Sequence, residues 1–309
     1  MAELPTGMLT PSTGAGPELS LAPGEDLPSG RLTSMLAAVW DNKLAMAGLA
    51  TVIALTLFSY VGPLLYHTNE TGTNLLMANL PPSASHPLGT TPEGRDELGQ
   101  LMVGGQSTLE VGFAVAILGT AFGMIWGAVA GYIGGFIDAA LMRVVDALLA
   151  IPFLFFIVLL ASITTPTLII IILAITAASW ESTARLVRGE VLSLRARDYV
   201  QASQQLGARH PHVVFRHLVP NVTGTVVVTA TLSMADAILI YAAVAFLGLS
   251  VPPPATSWGD LLTTGINNLF DGYWWQLWPP AFAIVLIVLA VNVLGDGMHD
   301  MVEHRLERR

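Results

Sequence analysis

The sequence predicts an all-α integral membrane protein with six transmembrane helices and both termini inside. Three observations carry that prediction: composition, the spacing of charge, and the one-sided placement of arginine. Of 309 residues, 53% are hydrophobic and 11% charged, against about 25% charged in soluble domains. Mean hydropathy is +0.64. The formal net charge of −9 argues against nucleic acid, whose phosphates demand clustered basic side chains. With no cysteine, disulfides, thiolate metal sites and thiol nucleophiles are excluded.

Residues 1–33 are expected to form a disordered tail, because residues 1–30 hold five prolines, five glycines and four acids with no long apolar run. Beyond it, a bilayer core about 30 Å thick needs roughly 20 helical residues. Uncharged stretches of that length run over 44–66, 111–137, 147–180 and 272–295. The third is 34 residues, about 51 Å as one helix, and contains Thr164-Thr165-Pro166-Thr167 near its middle. It reads as two helices joined by a turn. A sixth candidate, 222–249, has Asp236 as its only charge.

Lys and Arg in short connections stay cytoplasmic during insertion. With the N terminus inside, 12 of the 13 basic residues fall on the cytoplasmic side and only Arg95 outside. Trp258, Trp274, Trp275 and Trp278 surround the last external loop, which is expected to lie along the outer membrane surface. The outer side carries seven acids, Glu70, Glu93, Asp96, Glu97, Glu110, Asp260 and Asp271. They read as a vestibule favouring cations, a docking surface, or a solvated face.

The only lysine, Lys43, has no glycine-rich loop before it, so the chain has no phosphate-cradling P-loop. No histidine falls mid-span beside a serine, which disfavours an intramembrane hydrolase. His210, His212 and His217 lack a nearby carboxylate or thiol to complete a metal set. No catalytic residue and no metal site is assigned.

The longest charged connection, 185–221, is rich in helix formers up to Gly207. A glycine there ends one helix, and Pro211 suits the first turn of a second. In that second helix Val214 and Leu218 share a face, with Phe215 and Val219 beside them. Such an amphipathic turn either packs on the protein's own helices or inner leaflet, or plugs a groove on a cytoplasmic partner.

Gln201-Ala202-Ser203, Gly207 and His217-Leu218-Val219-Pro220 resemble the EAA loop of membrane subunits of ABC importers. His86-Pro87-Leu88-Gly89-Thr90 with Gly94-Arg95-Asp96 resembles the external signature of the C-type permease of dipeptide, oligopeptide and nickel importers. Ala130-Gly131-Tyr132-x-Gly134-Gly135, Asp138, Met142-Arg143, Val145-Asp146, Ile151-Pro152, Phe246-Leu247-Gly248-Leu249, Pro253 to Gly259 and Gly295-Asp296-Gly297 continue the likeness over about 34–305. Three positions depart from the pattern: Gln201 stands where the loop usually has Glu, Thr91 where the external motif usually has Asp, and Tyr241 where the fifth span often has an acid. Loss of the charge at Gln201 removes any salt bridge from that position.

The resemblance implies a permease domain over 34–309 with an EAA-like loop at 198–221. It implies a second homologous permease, one or two cytoplasmic ATPases, an extracellular binding protein, and a multi-pass place in the cytoplasmic membrane. Gln201, Ala202, Gly207, Val214, Phe215, Leu218 and Pro220 then form the ATPase-coupling loop. This chain itself would bind no cofactor, ATP and Mg residing on the ATPases. Peptides are the expected cargo, with nickel, haem or another small ligand as alternatives. Asp236 is a candidate lining residue of the path, attracting a cationic group, because a mid-span carboxylate costs about 2.5–3.5 kcal/mol against lipid. Alternatively it hydrogen-bonds to Ser233, Thr229 or a partner helix. In a stand-alone ion- or proton-coupled transporter it would be the proton site, leaving the arginine-rich loop without a purpose.

Overall fold

The structure is a computed structural model that describes residues 42–68, 71–152, 155–157, 159, 163 and 165–307. The expected tail, 1–33, lies outside these residues. The described chain runs α1 (Lys43–Leu65), a 3₁₀ turn (Leu75–Met77), α2 (Glu97–Ile133), α3 (Gly135–Leu149), α4 (Leu168–Ala177), α5 (Glu181–Arg195) and α6 (Asp198–Gln205). It continues with the single turn α7 (His210–Val213), a π turn (Val214–Leu218), α8 (Val219–Phe246), α9 (Trp258–Asn268) and α10 (Trp278–Glu307).

Helix starts follow from local chemistry. Asn42 Oδ1 accepts from the Leu44 and Ala45 amides at 3.0 and 3.3 Å, and Thr167 caps α4 through the Ile170 amide, which is how the breaker at 164–167 is used. Ser257 accepts from the Asp260 amide and donates to Asp260 Oδ2, a reciprocal cap that starts α9.

Among the described residues, four helices are long and apolar enough to cross a bilayer, and α4 with α5, bent by 43°, makes a fifth candidate. In the first half of the uncharged stretch 147–180, expected to hold a separate span, residues 153, 154, 158, 160–162 and 164 lie outside the described set. One boundary differs from expectation. Helix α2 begins at Glu97 rather than near 111, and its 37 residues extend about 56 Å, longer than a hydrocarbon core is thick. Residues 185–195, in the connection expected to be rich in helix formers, belong to α5, packed lengthwise on α2. Arg185 and Arg188 are paired there with aspartates of α3.

Helix α2 is central, touching α1, α3, α4, α5, α8 and α9. Its inner half presents Gly119, Gly123, Gly127 and Gly131, one every four residues and so on one face. A β-carbon at Gly123 would come 2.5 Å from Trp180 O, at Gly127 2.2 Å from Ala184 O, and at Gly131 2.9 Å from Arg188 O. Backbone meets backbone here, as small residues permit between membrane helices. At the bend between α4 and α5, Trp180 packs edge-on to Phe122 at 4.8 Å and to Trp126 at 5.0 Å. On the outer half, α9 seats a fully buried Trp258 whose Nε1 donates to Leu101 O at 2.8 Å. Trp275 is also buried. Only Trp274 and Trp278 of the four tryptophans remain half exposed, so this segment is docked on the bundle through the other two.

Gly127→Ala should destabilise the protein by about 1–3 kcal/mol through overpacking. Gly189→Ala, whose added β-carbon meets nothing within 4 Å, should be neutral or stabilising by about 0.5–1 kcal/mol. Thermal unfolding of both variants in detergent checks the contrast.

Candidate functional site

The functional candidates gather at opposite ends of α2. At the N-terminal end, Asp96 caps the helix. Its Oδ1 accepts from the Gly99 amide at 2.9 Å, and its Oδ2 lies 2.7 Å from His86 Nδ1 and 3.2 Å from Tyr66 OH. Asp96 is fully buried, and its charge, after burial itself, pushes the Tyr66 phenol up to about 12. Gly94 takes a left-handed φ of +73°, and a β-carbon there would lie 1.8 Å from Asn74 O, so only glycine fits. Leu88 packs on the core below. Thr90 O accepts from Gln276 Nε2 at 2.9 Å, and Gln276 also holds Asn79 and Asn268. The structure thus brings His86, Leu88, Gly89, Gly94 and Asp96 into one knot, with Pro87 on its exposed rim and Arg95 half-buried. Thr91, where an acid was expected, is buried and accepts from the Arg95 amide.

Of the seven acids grouped on the outer side from sequence, two belong to the knot rather than to any exposed face. Asp96 and Glu97 are internal, at 0% and 1% exposure. Asp260 is held by Ser250 and Ser257, and burial pushes its carboxyl above the usual range. Glu70 lies outside the described residues.

At the C-terminal end of α2, α3 is strapped to α5 by two ion pairs. Arg188 grips Asp138 with two guanidinium nitrogens, and Arg185 Nη2 lies 2.5 Å from Asp146 Oδ1. The bidentate contact from Arg188 holds the Asp138 carboxyl below its usual value. Arg195, the last residue of α5, donates to Tyr132 O at 2.8 Å and so caps the C-terminal end of α2.

The segment 198–218 follows. Gly207 has φ +83°. Its amide donates to Gln204 O and that of Ala208 to Ser203 O, at 3.0 and 3.1 Å, a Schellman arrangement that ends α6. The second helix starts at His210, as the placement of Pro211 predicts. It is not a separate plug, however: the π turn carries it straight into α8. Pro220 supplies the reason, since it lacks an amide for the preceding turn and its ring crowds that carbonyl. Asn221 Nδ2 donates to the nearby His217 O.

The proposed docking face divides. Leu218 is fully buried, and Val214 packs in the same cluster with Val187, Val191 and Val222. Phe215 is 72% exposed. Leu206, not singled out from sequence, is 89% exposed. Its signal was its place just before the helix-ending glycine. Gln201 is exposed and donates to Ala196 O at 3.2 Å, while Pro220 is half-buried at the start of α8. A groove of about 680 Å³ opens between α6 and α7, lined by Tyr199, Ala202, Leu206, Arg209, His212 and His217 among others. The rings of His212 and His217 lie 6.0 Å apart, whereas His210 Nδ1 turns away to Tyr132 OH at 2.6 Å.

Asp236 sits on an exposed face of α8 with Leu232, Leu239 and Phe246. Thr229, one of its suggested partners, donates instead to Thr225 O at 2.8 Å. Within the described residues the Asp236 carboxylate makes no hydrogen bond or ion pair.

Residues 119–308 match the family described as the inner membrane component of binding-protein-dependent transport systems. Residues 35–82 match the N-terminal transmembrane domain of oligopeptide transport permease C. The chain belongs to this permease family. It is 39% identical to the dipeptide transport system permease protein DppC of Bacillus subtilis over 86% of this chain and 83% of that one. It is also 39% identical to the oligopeptide permease OppC of the same organism, over 87% and 88% of the two chains. Against Escherichia coli OppC the identity is 36%, over 85% and 87%.

Because the folded-state Asp138 value is depressed, the pair's stabilisation is complete above the ordinary aspartate value of about 3.9. It is lost as pH falls below that, through Asp138's own lower value. Asp138→Asn should therefore lower stability at neutral pH, and its deficit should shrink below about pH 4. Melting temperatures of both proteins measured from neutral to acid pH test the sign.

Proposed function

We propose that this chain is the C-type permease of an ATP-driven peptide importer, carrying dipeptides or oligopeptides inward across the cytoplasmic membrane with six spans and both termini inside. The observation that carries the mechanism is the polarity of α2. Its outer end is locked into the His86–Asp96 knot and its inner end meets the 198–218 segment. A binding protein delivers cargo at the first end. An ATPase docks at the second, on exposed Phe215 and Leu206 and the groove beside them, and supplies ATP hydrolysis with its Mg. This chain has no P-loop and contributes no catalytic group. A second permease subunit lies against the exposed α8 face, leaving Asp236 on the shared path. Peptide cargo is supported by the names of the relatives and by that free carboxylate, which suits a terminal ammonium.

Two outcomes test the reading. Phe215→Asp with Leu206→Asp should leave thermal stability nearly unchanged, as exposed positions do, yet abolish co-purification of a Walker-A ATPase. Leu218→Ala should instead destabilise the fold by about 2–5 kcal/mol. Recovery of the chain with its ATPase despite both aspartates would defeat the docking site. Separately, Asp236→Asn in proteoliposomes should reduce dipeptide uptake by about tenfold, equivalent to about 1.4 kcal/mol. Undiminished uptake of amino-terminally free peptides would remove Asp236 from the path.

A further inference from the structure

Tyr132 lies in the last turn of α2, one residue before Ile133, and three groups hold it. Its carbonyl is clamped by Arg195 at 2.8 Å. Its side chain packs against the buried cluster built from Ala128, Val187, Val191, Leu218 and Val222. Its hydroxyl lies 2.6 Å from His210 Nδ1, with the two rings edge to face at 5.7 Å.

His210 is exposed, so its own burial does not explain why it is held. It is the first residue of α7, directly after the non-helical stretch that Gly207 creates. From His210 onward the backbone is helical without interruption through the π turn into α8, forming one rod that ends beyond Asp236. Tyr132 therefore touches that rod at its first residue, where a side-chain contact has the longest lever arm. Val213, Leu218 and Val222, all fully buried, anchor the same rod farther along it.

We propose that Tyr132 is a positioning residue for energy coupling. Its hydroxyl yokes His210, and so the tip of the α7–α8 rod, to the central helix α2, and the docking turn, α8 and α2 move as one body. The assignment rests on the reading of 198–218 as the ATPase dock. Tyr132 contacts neither cargo nor nucleotide; it acts through His210.

The test uses the complete importer in proteoliposomes, with its ATPase and binding protein and a dipeptide as cargo. Tyr132→Phe keeps the ring and its packing and removes only the hydroxyl. The quantity read is dipeptide moved per ATP hydrolysed, with melting temperature and bound ATPase measured on the same preparation. Tyr132→Phe should lower the ratio about fivefold, the scale of one neutral hydrogen bond near 1 kcal/mol, with the ATPase still bound. His210→Ala, which removes the ring contact as well, should lower it at least as much, and the double variant no further than His210→Ala alone, since the hydroxyl then has no partner to lose. A normal ratio in Tyr132→Phe, or additive losses in the double variant, overturns the yoke. A merely structural role would lower the melting temperature and leave the ratio of the assembled fraction intact, which also overturns it. Failure of the parent protein to bind an ATPase would instead refute the docking reading.

Discussion

The fold depends on how closely α2 and α5 approach. In lipid there is little hydrophobic gain from bringing two apolar helices together, so dispersion and backbone proximity must hold them. Gly123, Gly127 and Gly131 allow α2 to lie directly on the carbonyls of Trp180, Ala184 and Arg188. That approach fixes where the arginines of α5 emerge. Arg188 and Arg185 then fall opposite Asp138 and Asp146, and Arg195 falls on the end of α2. A wider separation would leave both arginines without these partners. The glycine stripe is thus upstream of the inner electrostatics.

The same helix organises the outer face by a different device. There the packing is between backbone and indole: Gly105 accommodates Trp258, and Thr108 accepts from the Trp258 amide. Asp96 contributes to two things at once, satisfying an orphan amide of α2 and gathering His86 and Tyr66. One carboxylate therefore couples the start of the helix to the shape of the external loop. Because α2 is a single uninterrupted helix between these two ends, displacement at either is transmitted along a stiff element rather than through a chain of loops.

Much of this was legible in the residues, and the rest was hidden for identifiable reasons. The apolar stretches located α1, α2, α8 and α10, because an uncharged run near bilayer length has few alternatives. Gly207 and Pro211 correctly implied the break between α6 and α7, since each restricts the backbone in a known way. The helix formers of 185–195 were legible, but their pairing with Asp138 and Asp146 comes from tertiary contact, which no local pattern encodes. Tryptophans near the last loop suggested an interfacial belt, yet Trp258 and Trp275 are core residues. Composition does not distinguish an indole facing headgroups from one facing Gly105. Periodicity grouped Val214, Phe215 and Leu218, and the π turn then separated them, placing Leu218 inside and Phe215 outside.

That separation bears on how docking and transport are joined. Had 210–218 been a detached helix, its motion would have had to cross a hinge before reaching Asp236. The structure instead runs the same backbone from His210 to Phe246, with only a one-turn widening in front of Pro220. A π turn keeps every residue helical while rotating the face that follows it, so Phe215 points to solvent at one end and Asp236 is exposed at the other. An unpaired carboxylate on a span is tolerable only against water or protein, which makes the Asp236 face one that lipid alone cannot cover. The two exposed features of the rod, the apolar Phe215 near its start and the charged Asp236 farther along, are joined by one continuous stretch of helical backbone.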